Sequence, residues 1–284
     1  MNIQNRGLIL KRINRGFGYS TLIITSVFLI APVFFLLIAS FKQDAEYMSY
    51  PIVIFPDNWQ WENYRLVFTM TPFAKIAMRT GLIAISTAVI SAFSSSLSGY
   101  AFARYKDVKG NKKLFSVVIA TLIVPGIVTL IPQFIIYARL HLTNTYWPWY
   151  IGAVTGSPFY IFMFRQFFIG FPKELEEAAE VDGCSPLRIY WQIFMPNAKP
   201  VIATVIIFAV IGVWGDYLTP LIYLSSKKTL LGVALASAFK NPQGIELYTV
   251  SLAASVIYII PLILVFFFAQ KYILQGVVTS GLKG

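Results

Sequence analysis

Long apolar stretches alternate with shorter polar segments along this chain of 284 residues. A helix of about 20 apolar residues spans the hydrocarbon core of a bilayer. Six stretches meet this condition: residues 16–41, 80–103, 114–138, 142–164, 200–226 and 247–270. The pattern therefore predicts an all-α membrane protein with six transmembrane helices.

The ends of the chain set the limits of the predicted membrane domain. Residues 1–15 carry four basic and no acidic side chains, which indicates a cytoplasmic N-terminal segment. The apolar stretch that follows is longer than the core of a signal peptide, which favours a retained span. We expect one membrane domain over residues 16–274 and a cytoplasmic tail over residues 275–284.

The distribution of charge predicts the orientation of the spans. The chain is 57% hydrophobic and only 12% charged, and it has a net charge of +11. Six spans would place 15 of the 23 Lys and Arg residues on the same side as both termini. Because Lys and Arg accumulate in cytoplasmic loops, we expect an N-in, C-in topology. The positive charge thus indicates membrane topology, and no nucleic-acid partner is expected.

The longest polar interruption in the second half of the chain is residues 171–196, which we call the elbow. Five of the twelve acidic residues of the chain lie between Glu174 and Asp182. Pro172 and the carboxylates after it favour the start of a helix. Gly183 suits the left-handed residue that ends a helix. A first short helix that ends at Gly183 is therefore predicted.

A second helix is predicted to follow at once. Ser185 suits an N-cap and Pro186 suits the first helical position. A repeat of 3.6 residues places Leu187, Tyr190, Trp191 and Phe194 on one apolar face. An acidic first helix and an aromatic second helix, joined at a glycine, are typical of a docking surface for another protein.

The elbow resembles the EAA motif of the membrane subunits of ABC importers. The match consists of Glu177-Ala178-Ala179, Gly183 after three residues, Ile193 after nine more, and Met195-Pro196 after one more. Met195 stands where the family usually has Leu, which is a volume-conserving difference. The resemblance implies a type I ABC importer permease fold.

The resemblance also implies a role for the elbow. Its first helix would sit in a groove of an ATPase subunit, with Glu177 as a charged partner and Gly183 as the turn that sets the angle between the helices. The implied coupling residues are Glu177, Ala178, Ala179, Asp182, Gly183, Ile193 and Pro196.

Three further regions are similar to the maltose-type carbohydrate-uptake permeases. They are residues 99–104, residues 214–217 with Pro220-Leu221, and the tail from Gln270 to Gly284. The resemblance implies a subunit of a sugar or oligosaccharide importer in a bacterial inner membrane. Its partners would be a second, different permease subunit, two ATPase subunits and an extracytoplasmic solute-binding protein.

Two further contacts follow from that resemblance. The tail would reach between the ATPase subunits, which makes Gly281, Leu282, Lys283 and Gly284 candidate contacts. The outer segment of residues 227–246 would meet the solute-binding protein. Its uncharged part, residues 229–239, is too short to cross a bilayer.

The chemistry of ATP hydrolysis is expected on other chains. The sequence contains no GxxxxGK[ST] phosphate-binding loop, and no arrangement of residues typical of a hydrolase. We therefore expect a transport subunit that is not an enzyme, with ATP and Mg²⁺ bound by the ATPase subunits and no cofactor on this chain. Cys184 and His141 are single residues of their kinds, so neither a disulfide nor a metal site is predicted.

Asp216 is the one acidic residue within a predicted span. An acid in a span is by default a functional candidate, and here it would bind sugar hydroxyls. Trp214 and Tyr217 would stack on a sugar face and complete a candidate solute pathway. The alternative, which we favour at this point, is that Asp216 lies near the outer end of its span and is bonded to water or to a neighbouring helix.

Other functions leave different signatures. An ABC permease for amino acids, phosphonates, polyamines or glycerol phosphate esters would share the elbow. A secondary transporter driven by an ion gradient would need several charges within its spans and would leave the elbow unexplained. A membrane-embedded transferase or protease would need a catalytic constellation in the spans.

Overall fold

The computed structural model describes the backbone of residues 3–281 and the side chains of residues 16, 18–268 and 270. The described residues are largely helical, and the β pairing among them is an isolated bridge between Lys240 and Glu246. The α-helices are α1 (Ile3–Ala39), α2 (Asp44–Tyr47), α3 (Glu62–Met70), α4 (Phe73–Arg104), α5 (Asn111–Ala120), α6 (Gly126–Arg139), α7 (Trp147–Thr155), α8 (Pro158–Ile169), α9 (Glu174–Val181), α10 (Pro186–Ile189), α11 (Met195–Asn197), α12 (Lys199–Trp214), α13 (Leu218–Tyr223), α14 (Leu231–Ser237) and α15 (Tyr248–Gly281).

Three helices within the described part of the chain are long and apolar enough to cross a membrane. They are Gly18–Ala39 of α1, the whole of α4, and Tyr248–Phe268 of α15. The total rises to five if two bent helix pairs each count as one span. These pairs are Asn111–Ile123 with Gly126–Arg139, bent by 101°, and Pro186–Asn197 with Lys199–Trp214, bent by 79°. The predicted count of six spans stays a prediction.

The breaks within the predicted spans have local causes. Val124 precedes Pro125 and is extended, at φ −78° and ψ 116°, because a residue before proline avoids the helical region. Gly156 separates α7 from α8 at a φ of +73°, a conformation that glycine adopts at low cost. The predicted span over residues 142–164 is therefore divided into two shorter helices.

The chain divides into two compact units, of which the first comprises Met1–Thr71 and Phe239–Ile259. In this unit the carboxylate of Asp44 accepts hydrogen bonds from the backbone N–H and the hydroxyl of Thr249, at 2.8 and 2.9 Å. Thr249 lies in the first turn of α15. Asp44, which is distant in sequence, therefore satisfies a free backbone N–H at the N-terminus of that helix. Asn63 donates to the carbonyls of Ser40 and Lys42 and so fixes α3 against the end of α1.

The second unit comprises Pro72–Ala238 and Ile260–Gly284, and α4 lies at its centre. Helices α7, α8 and α12 all pack against α4. Small side chains on α4 allow this close approach. A Cβ atom on Gly99 would lie 2.6 Å from the Cβ of Phe164 and 3.0 Å from the backbone nitrogen of Arg165. Ser95, fully buried, accepts a hydrogen bond from the backbone N–H of Ser157 at 3.2 Å.

We predict that Gly99→Ala destabilises the second unit. The added methyl would meet the backbone of α8, and overpacking of this kind costs about 1–3 kcal/mol. Gly212→Ala is the matched control, because it adds the same methyl within α12, where nothing lies within 4 Å. Thermal unfolding of the purified subunit in detergent should show a lower midpoint for Gly99→Ala only. Equal midpoints for the two variants would contradict the close contact of α4 with α8.

Candidate functional site

The first helix of the elbow ends in a Schellman motif. Gly183 has a φ of +76°, and its N–H donates to the carbonyl of Glu180 at 2.9 Å. The N–H of Cys184 donates to the carbonyl of Ala179, also at 2.9 Å. This pair of hydrogen bonds satisfies two of the last carbonyls of α9 and reverses the chain. The predicted helix that ends at Gly183 is confirmed.

The second helix of the elbow begins where the sequence predicts. Pro186 is its first residue, and the hydroxyl of Ser185 accepts from the backbone N–H of Arg188 at 3.4 Å. Helices α10 and α11 are joined by a π-helical segment over Tyr190–Phe194. The helix ends at Asn197, one residue beyond Pro196.

The predicted apolar face of this second helix is partly wrong. Ile189, Tyr190 and Phe194 are at most 1% exposed, whereas Leu187 is 62% and Trp191 is 52% exposed. The π-helical segment has more residues per turn than an α-helix, so buried positions recur at intervals of four to five residues. A count based on 3.6 residues per turn therefore misplaced the face.

The seven predicted coupling residues do not share one environment. Glu177, Ala178, Asp182, Gly183 and Pro196 are exposed. Ala179 is buried in a core cluster that includes Phe164, Tyr190 and Phe194, and Ile193 packs against the same cluster. The structure thus separates residues that hold the elbow in place from residues that face outward.

Apolar side chains on the outer surface of the elbow were missed by sequence reasoning. Leu175 is 48% exposed and Val181 is 88% exposed, and Leu187 is exposed as well. Leu175 and Val181 are separated along α9 by Glu176, Glu177 and Glu180. Exposed apolar residues with a polar rim mark protein interaction sites. A lone Val between Glu180 and Asp182 was the available signal in the sequence.

A second feature missed from the sequence is the position of Arg104, the last residue of α4. Its Nε lies 3.2 Å from Oε2 of Glu176, and its Nη2 donates to the carbonyl of Phe171 at 3.3 Å. Its guanidinium carbon lies 4.6 Å from the centre of the Phe194 ring, within range of a cation–π interaction. The Arg104 and Glu176 side chains are only 7% and 17% exposed.

Burial raises the pKa of Glu176, and the guanidinium of Arg104 offsets this in part. The charged carboxylate loses hydration on α9, because a buried environment disfavours the ionised form of an acid. The ion pair therefore forms at a cost in desolvation, as is usual for buried pairs.

Asp216 lies between α12 and α13, beside an open cleft of about 370 Å³. Its Oδ1 accepts from the backbone N–H of Thr219 at 3.1 Å, and its Oδ2 accepts from Nε1 of Trp149 at 3.3 Å. The bond to Trp149 joins Asp216 to a neighbouring helix, as the structural alternative predicts. The cleft is lined by polar and aromatic residues that include Gln133, Tyr137, Trp149, Thr155, Asp216 and Tyr223.

The other predicted pathway residues lie in different surroundings. Trp214 is 7% exposed, and its ring lies against α4 beside Gly81. Tyr217 is 42% exposed. Neither residue lines the cleft.

The N-terminal part of α4 also holds α14, which belongs to the predicted outer segment. The N–H of Leu231 donates to the hydroxyl of Thr80 at 3.0 Å. A Cβ on Gly232 would lie 2.5 Å from the carbonyl oxygen of Asp216, so only glycine permits this approach. Helix α14 is therefore fixed against the break at Asp216.

The last two predictions to compare with the structure concern the C-terminal tail and a metal site. Gly281 is the last residue of α15, and Leu282, Lys283 and Gly284 lie outside the described residues. Within the described part of the chain, no group of three or more His, Cys, Asp or Glu side chains is arranged to hold a metal ion.

The raised pKa of Glu176 predicts a pH dependence of stability. The native state binds this proton more tightly than the unfolded chain does, because the native pKa lies above the ordinary value of 4.5. The stability that Glu176 contributes is therefore present below that value and is lost as the pH rises through the native pKa. Thermal midpoints should show wild type losing stability relative to Glu176→Gln as the pH rises from 4.5 toward neutrality.

Glu174→Gln is the control for this pH series, because Glu174 is an exposed carboxylate on the same helix. The trend for Glu176→Gln should exceed the trend for the control. A difference from wild type that does not vary with pH would contradict the burial of the Glu176 carboxyl.

Comparison with known proteins places the chain in a family. Residues 95–279 match the family described as the binding-protein-dependent transport system inner membrane component. The chain is 32% identical to the arabinooligosaccharides transport system permease protein AraQ of Halalkalibacterium halodurans, over 94% of this chain and 95% of the relative. It is 27% identical to the polygalacturonan/rhamnogalacturonan transport system permease protein YtcP of Bacillus subtilis, over 94% of this chain and 96% of the relative.

The fold is shared with a solved structure. A chain of a bacterial ABC transporter involved in the import of the acidic polysaccharide alginate superposes with a TM-score of 0.76 and 23% identity. The superposition covers 92% of this chain and 98% of that chain. With the match over residues 95–279, the conclusion is that this chain belongs to the family of inner-membrane components of binding-protein-dependent transport systems.

Proposed function

We propose that the chain is a permease subunit of an ATP-driven importer of oligosaccharides in a bacterial inner membrane. The observation that carries the proposal is the elbow, whose outward surface combines carboxylates with exposed Leu175, Val181 and Leu187. Exposed apolar side chains on an otherwise polar hairpin favour contact with a protein partner. The names of the relatives, which refer to arabinooligosaccharides and pectin-type polysaccharides, support an oligosaccharide as the solute.

In this proposal the chain crosses the membrane six times, with both termini in the cytoplasm. The unbroken helices α1, α4 and α15 provide three spans. The broken pairs α5–α6, α7–α8 and α12–α13 provide the others. Broken helices are tolerated at membrane depth where protein or a water-filled path surrounds them. The breaks therefore fit a subunit that lines a pathway together with a second permease subunit.

The elbow contacts one of two separate ATPase subunits, which bind ATP and Mg²⁺. Glu177 is the charged partner, and Val181 and Leu187 supply apolar contact area. Gly183 sets the angle between the two helices, so it determines how the outward residues enter a groove of the ATPase subunit. Closure of the ATPase subunits would move the elbow and rock the spans between inward-facing and outward-facing states. The tail at Gly281–Gly284 is a second contact with the ATPase subunits.

The solute pathway passes the cleft beside Asp216. Aromatic faces and hydrogen-bonding groups together suit the apolar faces and hydroxyl groups of sugar rings. Trp149, Tyr137 and Gln133 are the cleft residues with this chemistry. Asp216 orients Trp149. Tyr217 follows Asp216 in the chain and is exposed, whereas the buried Trp214 ends α12 and packs against α4. The solute-binding protein delivers the solute to the outer side, near residues 227–246.

We predict that Glu177→Ala and Gly183→Asp impair transport while the subunit still inserts. Truncation of an interface anchor costs more than about 1 kcal/mol, which weakens the ATPase contact by roughly tenfold. An Asp at Gly183 would have to adopt a left-handed conformation, which costs an L residue about 1–2 kcal/mol, and would add a further carboxylate to the exposed turn. Copurification of the ATPase subunits, ATP hydrolysis and uptake into proteoliposomes measure these effects.

The matched control for the elbow is Glu174→Ala, an exposed glutamate on the same helix. It should assemble and transport like wild type. Normal assembly and transport by both Glu177→Ala and Gly183→Asp would overturn the role of the elbow.

We predict that Asp216→Asn lowers oligosaccharide uptake and leaves ATPase assembly unchanged. The amide oxygen still accepts from Thr219, but its NH2 group cannot accept from Trp149, so the indole loses its fixed position. Asp107→Asn, in the segment between α4 and α5, is the control. Uptake equal to wild type would show that Asp216 serves only the local fold.

A further inference from the structure

We propose that Arg104 is a positioning residue that fixes the elbow to the end of α4, so that the elbow and α4 move as one body during transport. The proposal rests on the proposed function of the elbow as the contact with an ATPase subunit. In this role the buried ion pair of Arg104 and Glu176 transmits movement of the elbow to the membrane-spanning helices.

Arg104 contacts the start of the elbow and both of its helices. It pairs with Glu176 on the first helix, at 3.2 Å, and donates to the carbonyl of Phe171, where the elbow begins, at 3.3 Å. Its guanidinium also lies over the ring of Phe194 on the second helix, at 4.6 Å. A single side chain at the end of α4 therefore holds both helices of the elbow.

The same face of α4 makes the other contacts with the second elbow helix. Ser96, Tyr100 and Arg104 recur at intervals of four residues, so they lie on one side of α4. The hydroxyl of Ser96 hydrogen-bonds that of Tyr190 at 2.7 Å, and the Tyr100 and Phe194 rings lie 4.9 Å apart. The hydrogen bonds of Ser96 and Tyr100 reach the second helix, at Tyr190 and Pro186, whereas Arg104 also pairs with Glu176 of the acidic first helix.

The ion pair is better explained by positioning than by stability. Removal of two charges from water costs about as much as their attraction returns, so buried pairs add little to folding on balance. The raised pKa of Glu176 shows this cost in the elbow itself. What the pair does supply is a charge contact of 3.2 Å between Nε of Arg104 and Oε2 of Glu176, which keeps the end of α4 beside the first elbow helix.

Motion passed to α4 would reach most of the second unit. Helices α7, α8 and α12 pack on α4, and α8 approaches it most closely at Gly99. A displacement of the elbow that pulls on Glu176 would therefore move α4 and α8 together.

The first test replaces both charges, with Arg104→Gln and Glu176→Gln in one chain, so that no buried charge is left unpaired. In the reconstituted complex the ATPase subunits should copurify and hydrolyse ATP, while solute transported per ATP hydrolysed falls about fivefold or more, the scale of a typical coupling free energy. The control is Lys106→Gln with Glu174→Gln, two exposed charges beside the pair. It should keep the wild-type ratio.

The second test restores the link covalently. Arg104→Cys and Glu176→Cys are combined with Cys184→Ser, which removes the one native cysteine. The ratio of transport to ATP hydrolysis should be low in the free thiol form and should recover when a bifunctional thiol reagent joins the two positions. A role in stability alone would not give this recovery.

The outcomes separate this proposal from the function on which it rests. A normal ratio in the unlinked variants, or a ratio that stays low after linkage, would overturn the positioning role. Loss of the ATPase subunits or failure to insert in both variants would show that the pair serves assembly, which also overturns it. Unimpaired Glu177→Ala and Gly183→Asp complexes would instead remove the role of the elbow.

Discussion

The close approach of α4 and α8 at Gly99 is the constraint on which the second unit depends. No side chain larger than hydrogen fits there without displacing the backbone of α8. The contact sets the position of the next turn and a half of α4, which carries Tyr100 and Arg104. The elbow follows α8 in the chain and returns to pack against this end of α4. The position of the α4 end against which the elbow packs is therefore set by Gly99, five residues earlier in the same helix.

The sequence predicts local features of the elbow well, because their causes are local. Gly183 and Ser185 encode the end of one helix and the start of the next, and both lie where expected. The π-helical segment has no comparable signal, so Trp191, which lies within it, was placed on the wrong face. The ion pair of Arg104 with Glu176 was not predictable, since it joins residues far apart in the chain and depends on how α4 and the elbow pack.

The predicted solute pathway also shows that contacts between residues distant in the chain cannot be predicted from local sequence. Sequence patterns single out Asp216 because it is an acid within an apolar stretch, but they cannot show that Trp149 and Thr219 already occupy its oxygens. Trp214 and Tyr217 are neighbours in sequence, yet one is buried against α4 and the other is exposed. The cleft is built mainly by residues of α6 and α7, which no motif identifies. Proline and glycine breaks were visible in the sequence, whereas the angles at them depend on packing.

The most direct test of the account is photocrosslinking from Val181, which is 88% exposed on the elbow. A benzophenone amino acid at this position, in the assembled transporter in membranes, should form a covalent product with an ATPase subunit. The same group at the exposed Tyr50 in the first unit should not form that product. No product with the ATPase from Val181, or a product with the solute-binding protein instead, would contradict the claim that the elbow connects this permease to its source of energy.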